Sequence, residues 1–239
     1  MIYVGIDDTD TLDSRGTNQL AKAMARAVAD EYVCHRIVRH QLLEDPRVPF
    51  TSKNGSASLV FEYRGPRAAT CVDSLACTLR QIVRDDFIPG SDPGLCVATE
   101  VDAEVIAFAR QCEREFVTQE QVRDIAARSG VFLEGLGGTN DGVIGALAAV
   151  GLAAANDGGR VVQWGNWPDD LTGTHPVDAV RERAIEIQQV NSSETVHVGC
   201  VDVGKHLRPN WRDGRCVLFV TNDHAQSDNT TNWKAVKIP

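Results

Sequence analysis

The chain has 239 residues, of which 43% are hydrophobic and 24% charged, and its formal net charge is −9. Such values belong to a globular protein and exclude a disordered, collagen-like or low-complexity chain. The length suits one large domain or two small ones, and no apolar run approaches the ~18 residues that a transmembrane helix needs.

The N-terminus, Met1-Ile2-Tyr3-Val4-Gly5-Ile6-Asp7-Asp8, lacks the basic start and longer apolar stretch of a secretory signal, and reads as a strand over 2–7. Residues 8–16 form a polar loop. Leu20, Ala23, Met24, Ala27 and Val28 recur at helical spacing and predict a helix over 17–31. A strand follows over 34–43. Pro46 and Pro49 then impose an extended loop through Lys53-Asn54-Gly55, before a strand over 58–63. Val72, Leu75, Ala76, Leu79, Ile82 and Val83 mark a second helix, and Pro89 to Gly94 a loop. A strand is expected over 97–101 and a helix over 103–113. Thr118-Gln119-Glu120-Gln121 has capping-box spacing and opens a helix to Ser129. A strand over 131–134 runs into the glycine-rich stretch 135–142, which a small-residue helix follows over 143–155. Val161 to Trp164 is a strand, and Val177, Val180, Ala184 and Ile187 supply the stripe of a helix starting near Pro176. Strands are expected over 195–203, 215–221 and 233–238. The alternation implies an α/β or interleaved α+β architecture.

The seven cysteines are scattered, with no Cys-x-x-Cys pair, which suggests buried small hydrophobes in a reducing cytoplasm. Charge is uneven: residues 1–67 carry nine basic and nine acidic groups, 68–190 nine and nineteen, and 191–239 six and five. This balance argues against a protein that grips nucleic acid mainly through phosphates. The best local exception is Arg36, Arg39, His40, Arg47 and Lys53, read equally as a phosphate-binding patch or a solvated strand face. Lys205, His206 and Arg208 form a smaller cluster, either a ligand contact or a polar loop.

Three loops carry the chemistry. Asp7, Asp8, Asp10 and Asp13 fall within seven residues at the end of a strand, with Thr9, Thr11, Ser14, Gly16 and Thr17 beside them. Crowded carboxylates repel one another, and a divalent cation with nucleotide phosphates relieves the repulsion; a solvent-exposed Asx-turn loop explains the same spacing. Thr51-Ser52-Lys53-Asn54-Gly55-Ser56 can wrap a phosphate with backbone N–H groups and a lysine, or form an ordinary Asn-Gly turn. The stretch Gly135 to Gly142 precedes a helix but matches neither a P-loop nor Gly-x-Gly-x-x-Gly. Asp141 would repel phosphate, so the loop reads as a substrate or interface element compatible with an amine.

Val4-Gly5-Ile6-Asp7-Asp8-Thr9-Asp10 with Arg15-Gly16, the run from Gly137 to Gly151, and more weakly Pro46 to Ala57, resemble the archaeal tRNA-isoleucine 2-agmatinylcytidine synthetases. The resemblance covers residues 1–190. It implies a kinase-like α/β domain over 1–116, followed by a ferredoxin-like domain with C-terminal strands over 117–239. In that family ATP phosphorylates the C2 carbonyl of a cytidine, and agmatine's amine then displaces phosphate. Carried over, Asp7, Asp8 and Asp10 would hold Mg²⁺ and ATP, with Asp7, Asp8 and Thr17 catalytic. Gly16, Lys53, Asn54, Gly55 and Ser56 would line the phosphates, and Gly137, Gly138, Thr139, Asn140 and Asp141 would face the substrate. The family pattern after Gly16 is Met-Cys-Thr-Thr, whereas Thr17-Asn18-Gln19 stands here, and neither the family's OB-fold nor its zinc ribbon is visible. The expectation is therefore an ATP- and Mg²⁺-dependent ligase joining an amine to an activated carbonyl on a small molecule. tRNA would be bound only with a partner chain; a non-catalytic ligand-binding protein is the remaining alternative. The sequence leaves a homo-oligomer open and predicts a cytoplasmic location with no membrane partner.

Overall fold

Strand β1 (Ile2–Asp7) is the centre of an antiparallel sheet. It pairs with β3 (Ala57–Tyr63) on one side and β4 (Gly94–Ala98) on the other, so that Val4 faces both Leu59 and Val97. Beyond them lie β2 (Tyr32–Arg39), irregular between Cys34 and Arg36, and β5 (Phe132–Gly135). The order is β5-β4-β1-β3-β2. With α1 (Thr17–Ala27) and α2 (Cys71–Asp85), the first four strands follow the split β-α-β plan.

The computed structural model describes residues 1–48, 53–66, 71–165, 171–190, 192, 194–222 and 232–238. Its chain forms two compact units, Met1–Ala155 and Asn156–Pro239. The expected boundary at 116/117 lies inside the first unit, between α3 (Ala103–Cys112) and α4 (Gln119–Ser129). Both helices pack on α5 (Gly142–Ala155), which joins them to the sheet. The expectation of a kinase-like module ending at 116 and a ferredoxin-like one from 117 thus differs from this division. The split β-α-β element occupies the chain's first hundred residues, because β4 closes it before α3 begins.

Both faces of the sheet's centre are covered, which is why β1, β3 and β4 are nearly continuous apolar runs. A Cβ on Gly5 would overlap the Ala146 carbonyl of α5. Val4 and Ile6, fully buried, point to the opposite face, where α1 and α2 pack. Helix α5 is apolar all round, and eleven of its fourteen residues are buried, as expected of a helix enclosed on every side. Its outer side meets α3, with Gly151 against the Val105 carbonyl. Helix α3 is capped by Asp102, whose carboxylate accepts from the Val105 N–H at 2.9 Å. Helix α4 opens on Thr118 and ends at Gly130, whose φ of 64° suits glycine.

The second unit is mostly strand: β6 (Arg160–Trp164), β7 (Thr174–Pro176), β8 (Glu186–Gln189), β9 (Cys200–Asp202), β10 (Asn210–Arg212), β11 (Arg215–Asn222) and β12 (Asn232–Ala235). β11 pairs antiparallel with β10 and β12 and parallel with β8; β12 continues in parallel to β9. The helix expected from Pro176 to Ile187 is a single short α6 (Val177–Arg181). Ala184 at φ 56° breaks it, and Ile187 enters β8 opposite Leu218. The expected strand over 97–101 is shifted back to Gly94–Ala98, because Asp102 already caps α3. Strands β7 and β10 have three residues each, too short for a period to show. All seven cysteines are free thiols, with Cys96, Cys112 and Cys216 buried and Cys77 exposed. Among the described residues no helix is long and apolar enough to cross a membrane.

Candidate functional site

Chain reversal at the end of β1 builds the site. Asp8 follows the strand at φ 49°, a left-handed conformation that aspartate tolerates better than most residues and that turns the loop across the sheet's edge. The Asp8 carbonyl accepts from the Asp92 N–H at 3.1 Å, and the Asp92 carbonyl accepts from the Gly142 N–H at 3.0 Å. The Thr139 hydroxyl donates to the Asp92 carboxylate at 3.0 Å, and the Thr139 N–H donates to it as well. Asp92 therefore ties the acidic loop, the 89–93 loop and the glycine-rich loop together.

The acidic loop and the end of the glycine-rich loop, with residues from 42–48, 53–55 and 112–119, line a cavity of about 290 Å³ within the first unit. Its lining includes the acidic residues Asp7, Asp8, Asp10, Glu115 and Asp141 and the apolar residues Leu42, Val48, Cys112, Phe116, Val117 and Ile144. Lys53 and Arg47 are the basic residues of the lining. Arg47 forms a two-point ion pair with Asp45, Nε–Oδ1 and Nη2–Oδ2 both 2.8 Å, and lies 4.6 Å from the centre of the Phe116 ring. Lys53 has no ion-pair partner among the described residues.

Electrostatics follow from this crowding. Burial, then the neighbouring Asp8, push the Asp7 carboxyl up to about 7. Burial, then Asp92, Asp10 and Asp141, push Asp8 up to about 6. A Cβ on Gly145 would overlap the Asp7 carboxylate, so that carboxylate lies directly on the first turn of α5. A hydroxyl chain adjoins the lining carboxylates: Thr9 Oγ1 donates to Thr17 Oγ1 at 3.1 Å, and Thr17 Oγ1 donates to Asp10 Oδ1 at 3.2 Å.

Of the residues singled out in the sequence, Asp7, Asp8, Asp10, Thr17, Lys53, Asn54, Gly55 and Asp141 stand in this one lining. The others stand behind it. Gly16 is the N-cap of α1 beside the Asp10 carboxylate. Ser56 is fully buried, and its hydroxyl has no hydrogen-bond partner among the described residues. Gly137 packs under the Phe87 ring, Gly138 under Asp92, and Asn140 turns the chain at φ 66°. Thr139 is spent on Asp92. Asn54 Nδ2 donates to the Leu43 carbonyl at 2.6 Å, so its amide braces the loop. Pro49, Thr51 and Ser52 lie outside the described residues.

The N–H groups of Gly142, Val143 and Ile144 at the start of α5 donate to the carbonyls of Asp92, Asn140 and Asp141. Those three N–H groups are therefore engaged within the protein, in keeping with the mismatch to phosphate-binding motifs. Asp141 instead accepts from Gln119 Nε2, which also donates to the Thr139 carbonyl at 2.9 Å. Of the basic patch of residues 36–53, Arg47 and Lys53 stand in the lining and Arg39 lies against Gly55, whereas Arg36 and His40 are turned inward. Arg36 Nη2 donates to the Ala153 carbonyl at 3.2 Å, and Arg47 is bound to Asp45. His40 is buried against Ser58 Oγ at 2.8 Å, and burial lowers its pKa to about 3.

Sequence reasoning missed Asp92, Glu115, Phe116 and Gln119. Asp92 sits in a Ser-Asp-Pro-Gly turn whose local chemistry explains it fully, and the other three have ordinary helix-end spacing. Nothing short of the tertiary fold marks them.

Among the described residues no group of three or more His, Cys, Asp or Glu side chains is placed to cage a metal ion. Mg²⁺ does not require a cage: it takes one or two carboxylates and completes its shell with phosphate oxygens and water. The donor set of Asp8 and Asp10, hard oxygens short of positive charge, suits that mode.

No family model matches the chain. The tRNA(Ile2) 2-agmatinylcytidine synthetase TiaS of Cenarchaeum symbiosum (strain A) is 26% identical over 186 residues, 72% of this chain and 40% of that enzyme. The crystal structure of apo TiaS superposes with a TM-score of 0.52 at 23% identity, over 63% of this chain and 35% of the other. A TiaS–tRNA(Ile2)–ATP complex gives 0.53 at 24% identity, over 63% and 36%. A TiaS–tRNA(Ile2)–AMPCPP–agmatine complex gives 0.53 at 22%, over 62% and 35%. The chain therefore shares a mixed α/β fold with part of TiaS, and spans less than half the length of the relatives it matches.

Proposed function

We propose that the first unit is an ATP-dependent ligase module that joins a small amine to a carbonyl activated by phosphorylation. The observation that carries this reading is the convergence of Asp7, Asp8, Asp10, Thr17, Lys53, Gly55 and Asp141, from three separate loops, on one half-acidic, half-apolar cavity. The similarity to TiaS, crystallised with ATP and with AMPCPP and agmatine, supports it.

The chemistry divides among the chain's own groups. Lys53, a lining cation with no acidic partner among the described residues, meets the triphosphate, with Arg39 close by where a Cβ on Gly55 would stand. Asp8 and Asp10 would hold Mg²⁺, which would supply positive charge to offset that of the phosphates. The acceptor's carbonyl oxygen attacks the γ-phosphorus and ADP leaves. The amine then adds to the carbon, and the oxygen departs with the phosphate. Asp7, whose carboxylate lies on the first turn of α5 beside the lining, takes the proton that the amine must lose. Asp141 and Glu115 pair with the cationic end of the amine, while Phe116, Val48 and Leu42 pack its alkyl part. The Thr17 hydroxyl, held on Asp10, anchors the acidic loop to α1.

We take the acceptor to be a small molecule; in support, Arg36 and His40 of the basic patch are engaged inside the fold and Arg47 is paired with Asp45. Isothermal titration with AMPCPP and Mg²⁺ tests the site: binding that weakens about tenfold in Lys53→Ala is expected. Absence of binding to the intact chain refutes the reading. Product analysis with labelled ATP and a panel of amines then separates a ligase from a protein that only binds ligands.

A further inference from the structure

Strands β9 and β12 of the second unit run parallel, with Lys234 in register with Asp202. The segment after β9 and the end of β12 together line a second cavity, of about 350 Å³. Five of its ten lining residues are Lys205, His206, Arg208, Lys234 and Lys237, and its one acid is Asp202. That acid is engaged locally, since Asp202 Oδ1 accepts from the Gly204 N–H at 2.8 Å, in a turn that Gly204 makes at φ 72°.

The charge is selective. Residues 191–239 contain six lysines and arginines. Two of them have acidic partners: Arg215 pairs with Glu186 at 2.8 Å, and Arg212 with Asp157 at 3.9 Å. The other four are those of the cavity, and none of them has an ion pair among the described residues. Four basic side chains gathered around a single carboxylate repel one another, in a chain whose net charge is −9. A concave site lined in this way is matched by a compact, multiply charged anion.

We propose that this groove binds a ligand carrying two or more adjacent phosphate charges. The inference is independent of the reading of the acidic cavity. Such charge comes from a free pyrophosphate-type metabolite or from the backbone of a nucleic-acid strand.

Tryptophan fluorescence of the full chain tests it, because all four tryptophans, at 164, 167, 211 and 233, follow residue 155, and the first unit has none. Binding at the acidic cavity therefore leaves this signal unaltered by direct contact. Trp233 adjoins Lys234 and donates through Nε1 to the Val198 carbonyl at 3.1 Å. Titration with inorganic pyrophosphate is expected to give a saturable change. Its affinity should fall about tenfold or more in Lys205→Ala/Arg208→Ala, and likewise in Lys234→Gln/Lys237→Gln, which keeps the aliphatic stems. Far-UV circular dichroism confirms that each variant is folded, and the second pair decides the matter if the first does not fold. A short oligouridylate distinguishes the sources. Tighter binding than pyrophosphate with a steeper salt slope assigns the groove to a strand; equal or weaker binding assigns it to a free phosphorylated metabolite. No saturable change with either probe, or affinities unaltered in both variants, overturns the proposal.

Discussion

Asp7 and Asp8, with carboxyls pushed up to about 7 and about 6, set the pH behaviour of the unliganded protein. Between pH ~4 and pH ~7 the folded chain binds more protons at these groups than the unfolded chain does. Their contribution to stability is therefore greatest at the acidic end and is lost as pH rises through the folded-state values. Calorimetry without divalent cation should find a higher Tm at pH ~5 than at pH ~8, and millimolar Mg²⁺ with nucleotide should restore Tm at the higher pH. Asp8→Asn removes the charge that most affects Asp7 after burial. It should raise stability at pH ~8 by about 1 kcal/mol while weakening Mg–nucleotide binding, read by denaturant melts and titration. These residues were legible in the sequence because four carboxylates in seven positions after a strand are unusual on any reading. Asp92 and Glu115 were not, because each is locally unremarkable and acquires its place only through contacts with distant loops.

Strands β1 and β4 and helix α5 were each foreseeable from apolar runs, but their distance of approach was not. Gly5 and Gly145 are required where β1 and α5 meet: a methyl group at either would overlap the Ala146 carbonyl or the Asp7 carboxylate. Gly5→Ala should cost about 1–3 kcal/mol in chemical denaturation, as overpacking generally does. Gly145→Ala should cost a similar amount and also displace Asp7, so nucleotide binding falls with it. The small-residue stretch Val143 to Gly151 read correctly as core, yet composition alone does not say which neighbour each glycine admits. The opposite failure occurred at Ala184. Val177, Val180, Ala184 and Ile187 keep helical spacing, but the same four positions serve a short helix, a left-handed turn and a parallel strand. Periodicity over about three turns cannot separate these outcomes when tertiary pairing decides between them.

The two compact units differ in kind: helices cover the sheet of Met1–Ala155, and strands dominate Asn156–Pro239. The alternating pattern anticipated for the whole chain describes the first and not the second. Asn156 follows α5 directly in a turn at φ 58°, and composition offered no boundary there. A fragment ending at Ala155 should fold alone with a cooperative transition, because it holds its own sheet and the α3–α4–α5 core. All three tyrosines lie within it, so near-ultraviolet tyrosine dichroism reports its tertiary structure, and a featureless spectrum would refute the expectation. The glycine contacts between α5 and the sheet also bear on how the ligand preference of this protein can drift. On that side backbone rests against backbone, leaving nothing to trim. Enlargement has to proceed through Leu42, Val48 and Phe116, and selectivity for a bulkier guest should be sought by shortening those side chains and leaving the acidic rim alone.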